Sequence, residues 1–515
     1  MLRRTALAAA LTTCAAAALT AAPFGSATAA SPKAPTVVND CITSVPDPGT
    51  TAPVQICYSL FEPAGASAKH PVPLLMHSHG WGGSRATDPS EVQAFLDAGY
   101  GVLSFDQRGF GESGGQAYVE NPKVEGHDVR KLVALISQLS WVQQDGPGDP
   151  HLGAVGGSYG GGYQFLAAFE ELRTKGKPVF DALAPEITWN DLHDSLAPED
   201  VVRTEWASAL SAAAVPSDAL PHNIYLALTE GAATGTWPDG SVPGEENLNE
   251  FFKRNGPKWH VDHGRVLDIP VLFGQGTTDS LFNLQQGLEN WRTAITPEAR
   301  KHSIFVGYNG GHVLPAVFPQ GVSVTSDPCS QVLAGGSFQQ LSIRFFDETL
   351  KGQDTGLRGW GKLHIATPDS TCTTVGSAAP NTAVDLGQVL SPAAAGAPLT
   401  YPISDKPIRV AGSSYVTGNL TATPGSRAFF GLAVGTSPAD AHLVQDNVMP
   451  LNVTDLADGT KQVRIQLPAA AVDVPEGQTL YLMVTAVSDT FAGMGSRAPG
   501  AVLLDGTKVH LHVVS

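Results

Sequence analysis

Three features of the sequence predict an α/β domain carrying an inserted helical cap, followed by an all-β sandwich. From Val54 to about Ile365, apolar β-like runs alternate with helical patterns, the signature of a mostly parallel sheet covered on both faces. From about Trp189 to Arg265 that alternation is interrupted by a stretch of helical character broken by Pro and Gly. A βα connection normally takes ~2 to 6 residues, so an insertion of this length reads as a lid or substrate-binding subdomain. After Cys372 the pattern changes to short alternating runs separated by Gly, Pro, Asp and Ser, without convincing helices. The expected layout is a leader over 1–30, an α/β domain over 31–368 with its cap at about 189–265, and a β domain over 369–515.

The leader has the three parts of an export signal: Arg3 and Arg4, an Ala/Leu-rich stretch from Ala6 to Ala22, and small residues at Ala27-Thr28-Ala29. The arginine pair leaves both the general and the twin-arginine export routes open, and Cys14 falls inside the segment to be removed. The protein is therefore expected outside the cell. Strands are predicted at Pro73–His77, Gly101–Phe105, Leu152–Gly156, Ala182–Ile187, Ile269–Gly274 and Ser303–Gly307. Between them Pro89–Ala98, Val124–Leu139 and Gly160–Leu172 carry apolar residues at helical spacing. In the cap, Val201–Ala214, Ile224–Leu228 and Leu248–Arg254 read as helices. Beyond Cys372, strands are predicted at Pro407–Val410, Tyr415–Thr421, Ala428–Val434, Gln462–Leu467, Leu480–Val487 and Lys508–Val514, with Ser391–Pro398 a loop or linker.

Composition narrows the function classes. Of 515 residues, 42% are hydrophobic and 15% charged, which excludes intrinsic disorder for most of the chain. The formal net charge of −17 repels a phosphate backbone, so nucleic acid is not an expected partner. No apolar run after the first thirty residues reaches the ~20 residues of a membrane span. Outside the leader stand Cys41, Cys57, Cys329 and Cys372, an even set suited to two disulfides in an oxidising compartment. Of the three possible pairings, Cys41 with Cys57 and Cys329 with Cys372 closes the shortest loops. Their spacing does not suit a zinc knuckle.

The chemistry centres on the G-x-S-x-G stretch Gly156-Gly157-Ser158-Tyr159-Gly160. An apolar run precedes it and a helical pattern follows, so Ser158 falls on a sharp strand-to-helix turn whose flanking residues must be small. That turn exposes the hydroxyl above the sheet, and the helix N-terminus favours developing negative charge. A serine needs a base within reach, and the base needs an orienting carboxylate. In the α/β-hydrolase fold these follow in the order Ser, acid, His. Asp279 lies just beyond the strand Ile269–Gly274, and His312 just beyond Ser303–Gly307, so both sit at the carboxyl edge that bears Ser158. Asp268 and His302 are rivals at strand beginnings, on the opposite edge. For the oxyanion, one N–H comes from Tyr159 and the second from His79-Gly80-Trp81-Gly82-Gly83, assigned to Trp81 with Gly82 as runner-up.

Other polar clusters read as structural. His77 and His79, two residues apart at a strand end, lack a third metal ligand. Asp106-Gln107-Arg108-Gly109 is expected to fix its own turn by an Asp–Arg pair. Asp145-Gly146-Pro147-Gly148-Asp149 reads as a surface turn rather than a calcium loop. The P-loop fingerprint is absent, and no cofactor or metal is expected.

These residues resemble the α/β-hydrolases of the X-prolyl dipeptidyl peptidase and cocaine esterase type. The resemblance is carried by Gly156–Gly161, Phe105–Gly109 with Gly111–Gly114, Trp189-Asn190-Asp191, Gly276-Thr277-Thr278-Asp279, and Arg344–Gly352, which is similar to the family's helix closing the catalytic domain. It implies a jelly-roll-like C-terminal sandwich and a triad of Ser158, Asp279 and His312. Relatives often place a Tyr hydroxyl in the oxyanion loop; Trp81 stands there in this chain, so only its backbone N–H is assigned. The N-terminal region of the larger peptidases is absent, which tilts the expectation towards an esterase acting on a small-molecule ester. The rivals are an X-Pro dipeptidyl peptidase, for which Glu199, Asp200 or Glu205 would hold the substrate's ammonium, and a non-catalytic binding protein.

Overall fold

The computed structural model describes residues 34–312, 325–392, 397–453, 461–493 and 500–514. The expected leader lies outside the described residues, and so does the middle of the expected 391–398 linker.

A ten-stranded mixed sheet organises the first part of the chain. Its strands are β1 (Thr36–Ser44), β2 (Val54–Glu62), β3 (Leu74–Ser78), β4 (Gly101–Phe105), β5 (Leu152–Gly157), β6 (Ala182–Glu186), β7 (Leu272–Gly276), β8 (Ile304–Tyr308), β9 (Leu363–Ala366) and β10 (Cys372–Val375). They lie in the order β1-β2-β4-β3-β5-β6-β7-β8-β9-β10, parallel from β4 to β9 and antiparallel at both edges. The parallel strands are buried on both faces, which is why they read as apolar runs rather than as alternation. Leu74 and Met76 of β3 face one core with the helices Glu125–Ile136 and Tyr159–Lys175; Leu75 faces the other with Phe345 and Phe346 of the helix Phe338–Thr349.

Differences from the sequence reading have local causes. Pro89–Ala98 splits into a short turn of helix at Pro89–Glu91, capped by Asp88, and the helix Gln93–Asp97. The cap helix expected from Val201 begins at Thr204, because Val201 bridges Thr236. The segment expected at Ile224–Leu228 extends to His222–Thr234 and ends on left-handed Gly235. Asp106 and Arg108 do not pair with each other: buried Asp106 binds Arg85, and Arg108 binds Asp128 at 2.7 Å and Asp47 at 2.8 Å. Each pair joins a different loop to the turn, and loss of one partner would strand a buried charge.

Beyond Val375 the chain forms two antiparallel sheets. One holds β11 (Thr382–Leu390), β13 (Ile408–Ala422), β17 (Lys461–Val474) and β19 (Val502–Leu511); the other holds β12 (Leu399–Ser404), β14 (Arg427–Gly435), β15 (His442–Leu443), β16 (Met449–Asn452) and β18 (Thr479–Thr485). Val410, Val416 and Leu420 from the first pack with Phe430, Leu432 and Leu482 from the second in one apolar core. The two strands expected at 407–421 are one, Ile408–Ala422, with a register shift between Gly412 and Ser414. Cys372–Val375 pairs with β9, so the change of architecture falls after Val375 rather than at 368. Disulfides join Cys41 to Cys57 across β1 and β2, and Cys329 of the helix Pro328–Ala334 to Cys372 of β10.

Candidate active site

The turn after β5 is built by exclusion. Gly156 has φ 140°, and a Cβ there would lie 2.6 Å from the carbonyl oxygen of Gly160 and 2.7 Å from that of Ser78. At Gly160 a Cβ would meet the Ser78 carbonyl at 2.3 Å. With both positions reduced to hydrogen the backbone folds back sharply, and Ser158 is held at φ 57°, ψ −120°, a conformation that non-glycine residues rarely adopt. Its N–H donates to the Glu186 carbonyl at 2.9 Å, tying the turn to β6.

The loops after β7 and β8 bring the other two residues to it. His312 Nε2 lies 2.7 Å from Ser158 Oγ, and His312 Nδ1 lies 2.7 Å from Asp279 Oδ2. With Nδ1–H donating to the carboxylate, Nε2 is left to accept the serine proton. Asp279 is fully buried, and its other oxygen accepts the backbone N–H groups of Leu281 at 2.8 Å and Phe282 at 3.0 Å. Those two bonds fix the carboxylate's orientation. The imidazole stands edge-on to Phe282 and Trp206, with centroids 5.2 and 5.8 Å away, and Trp206 is itself held by an indole bond to Ser280 Oγ at 2.9 Å. Close approach of the two loops again depends on glycine: at Gly276 a Cβ would sit 2.3 Å from the Gly310 carbonyl.

Tyr159 opens the helix Tyr159–Lys175, and its N–H belongs to the first turn, where intrahelical acceptors are lacking. The His79–Gly83 loop lies against the serine, with a Cβ built on Gly80 3.6 Å from Ser158 Cβ. Trp81 packs edge-on against Tyr159 and Phe110 and donates its indole N–H to the Leu210 carbonyl of the cap at 2.9 Å. Gly82 faces Ala213 of the cap helix instead. The rings of His77 and His79 bind Ser104 Oγ and the Gly80 carbonyl, both at 2.8 Å. The rivals Asp268 and His302 sit with Thr296 and Glu298 at the other end of their strands.

A pocket opens beside Ser158 under the cap. Trp81, Val119, Leu192, Leu210, Leu228 and Leu281 line much of it, and among the described residues no Asp, Glu, Lys or Arg lines it. The three carboxylates considered for an ammonium lie elsewhere. Asp200 binds His193, the Glu199 carbonyl accepts from Asn452 of β16, and burial together with Asp489 and Asp446 pushes the Glu205 carboxyl upwards. Sequence reasoning missed the aromatic clamp on His312, and it missed that Gln445 and Asn447, between β15 and β16, reach the loops of Asp279 and His312. Nothing in their local sequence marks them.

The family match of residues 53–313 gives the class of protein: a serine hydrolase of the esterase or X-Pro-peptidase type. Residues 53–313, half of the chain, match the X-Pro dipeptidyl-peptidase (S15) family, and the chain belongs to that family. Among solved structures the fold is similar to a CocE/NonD family hydrolase from Staphylococcus aureus (13% identity, TM-score 0.63, covering 92% of this chain and 97% of that one). It is also similar to an aminopeptidase from a marine sediment archaeon, Thaumarchaeota archaeon (13%, TM-score 0.62, 93% and 96%). An α-amino acid ester hydrolase gives 14% identity, a TM-score of 0.57 and coverage of 96% and 98%. Among curated proteins, an uncharacterized 31.7 kDa protein of the traX-finO intergenic region of Escherichia coli is 36% identical over 109 residues, 21% of this chain. The match spans only 35% of that relative's length. A non-heme chloroperoxidase of Streptomyces lividans is 27% identical over 220 residues, 41% of this chain and 75% of that protein.

Proposed function

We propose that this protein is a secreted acyl esterase that cleaves carboxylic esters with an apolar acyl group through an acyl-enzyme. Ser158 attacks the ester carbonyl, His312 Nε2 takes its proton, and Asp279 keeps the imidazole in the tautomer that can do so. The N–H groups of Tyr159 and Trp81 receive the oxyanion. His312 then protonates the leaving alkoxide, and water repeats the sequence to release the acid. The α/β unit with its cap at about 189–265 is the catalytic part, and the C-terminal sandwich is jelly-roll-like. Export accords with the leader sequence and the two disulfides.

The observation that carries the choice of substrate is the pocket beside Ser158. Its lining offers apolar side chains for an acyl chain and, among the described residues, no anion for an ammonium. An X-Pro dipeptidyl peptidase buries a free N-terminus, and a buried ammonium without a paired anion is costly. The test compares kcat/KM on p-nitrophenyl butyrate, Ala-Pro-p-nitroanilide and the N-acetyl form of the latter. We expect the butyrate ester to be the best substrate by at least tenfold. Preferred cleavage of the unblocked dipeptide anilide, abolished by acetylation, would overturn the esterase reading in favour of the peptidase.

A further inference from the structure

The C-terminal sheets touch the loops that carry Asp279 and His312: Met449 Sδ of β16 accepts from Asn283 Nδ2 at 3.5 Å, and the segment before that strand reaches both loops. Between β15 and β16 the chain makes the short turn Val444–Asp446, in which Gln445 has φ 58°, ψ 18° and is 2% exposed. Gln445 Nε2 donates to Thr277 Oγ1 at 3.1 Å and to Asn309 Oδ1 at 3.2 Å. Two residues on, Asn447 Nδ2 donates to the backbone carbonyl of Asp279 at 3.3 Å. Thr277 belongs to the acid's loop and Asn309 to the histidine's, so one amide bridges both.

The bridge matters because of what else sets the distance between Asp279 and His312. The parallel pairing of β7 and β8 fixes Gly276 opposite Tyr308. From Tyr308 to His312 the chain passes through Gly310 at φ 144° and Gly311 at φ 105°, where rotation is least restricted. The bonds of Asp279 to Leu281 and Phe282 orient the carboxylate only within its own loop. Alignment of one loop on the other rests on the Thr277 N–H, which donates to the Tyr308 carbonyl at 2.8 Å, on Thr277 Oγ1, 2.8 Å from Asn309 Oδ1, on Thr278 Oγ1, 2.6 Å from the Gly310 carbonyl, and on the Gln445 amide that caps the Thr277–Asn309 pair. Gln445 holds both partners while sitting in a left-handed conformation that costs a non-glycine residue energy.

We infer that Gln445 is a positioning residue for the Ser158–His312–Asp279 line, so that the C-terminal sheets are part of the catalytic apparatus and not an appended module. It acts by holding Thr277 and Asn309 at fixed separation, and it touches neither substrate nor reacting atoms. The inference rests on the proposed role of those three residues.

Gln445→Met keeps the length of the side chain and removes the N–H donors. We expect kcat on p-nitrophenyl butyrate to fall at least tenfold with KM within twofold, and the second-order rate of fluorophosphonate attachment to Ser158 to fall by the same factor. Gln445→Glu, which keeps the shape but presents an oxygen to Asn309 Oδ1, should behave alike and serves if the Met variant does not fold. As a control, Ser413→Ala removes another contact of these sheets with the α/β unit, the 2.8 Å bond to Gln285 Oε1, and should leave both rates unchanged. A reactive wild type with Gln445 variants within twofold of it overturns this inference alone. An equal fall in Ser413→Ala would make the effect one of docking, and would overturn it too. A wild type inert to fluorophosphonate would overturn the reading of Ser158 together with it.

Discussion

The carboxyl edge of the large sheet and the paired C-terminal sheets meet at the same loops, yet they are built by different rules. At the edge every group with chemistry lies within a few residues of a strand end and depends on glycine: Gly156 and Gly160 around Ser158, Gly276, Gly310 and Gly311 around Asp279 and His312. The C-terminal sheets are ordinary antiparallel sheets with an apolar core, and they reach the site's loops through the carboxamides of Gln445 and Asn447 and through Met449. Chemistry at the edge demands close backbone approaches that only glycine allows, whereas support demands a donor at the right point in space. The first is therefore concentrated in motifs and the second is spread across distant segments.

The contrast can be broken first at its strongest point. Asp279→Asn should lower kcat about 10⁴-fold with the fold intact, because an amide at this position favours the wrong imidazole tautomer. Far-UV circular dichroism and the melting temperature would check the fold alongside turnover. Near-normal activity would mean that another carboxylate serves His312, and the edge would then be less sharply specified than its geometry states. The loss at Gln445 should be much smaller than at Asp279, as fits a group acting through two others.

A smaller effect separates the edge's electrostatics from its geometry. Burial pushes the Glu186 carboxyl from its ordinary 4.5 up to about 7, although Tyr308 Oη donates to it at 3.3 Å. Below pH 4.5 folded and unfolded chains both hold this proton; between there and about 7 only the folded chain does, so the contribution to stability is lost as pH rises through that window. Glu186→Gln should therefore raise the melting temperature relative to wild type more at pH 8 than at pH 5, by the equivalent of about 1–3 kcal/mol. A difference between variant and wild type that is constant across this range would contradict it.

Much of this is legible in the sequence. The strands that carry Ser158, Asp279 and His312 are continuous apolar runs, and the rule that functional groups lie past the carboxyl ends of parallel strands then put all three on one edge. Asp268 and His302 fell to the other edge by the same rule, as they do in the structure. The ion pairs at Asp106 and Arg108 were foreseen as structural but with the wrong partners, because Arg85, Asp47 and Asp128 reach the turn from three other segments. β10 falls inside the range expected for the β domain, 369–515, because an edge strand of four residues has little periodicity to recognise. Trp206 and Phe282 beside the imidazole, and Gln445 behind the loops, were invisible for a related reason: cap and C-terminal sheets come to the site only through tertiary packing.

The central claim is that Ser158, His312 and Asp279 act as one nucleophilic unit. Its most direct test is a fluorophosphonate adduct mapped by peptide mass spectrometry in wild type, Ser158→Ala and His312→Ala. The account predicts a single adduct on the peptide containing Ser158, absent in Ser158→Ala and formed several orders of magnitude more slowly in His312→Ala. An adduct on another residue, or one that forms as fast without His312, would contradict it.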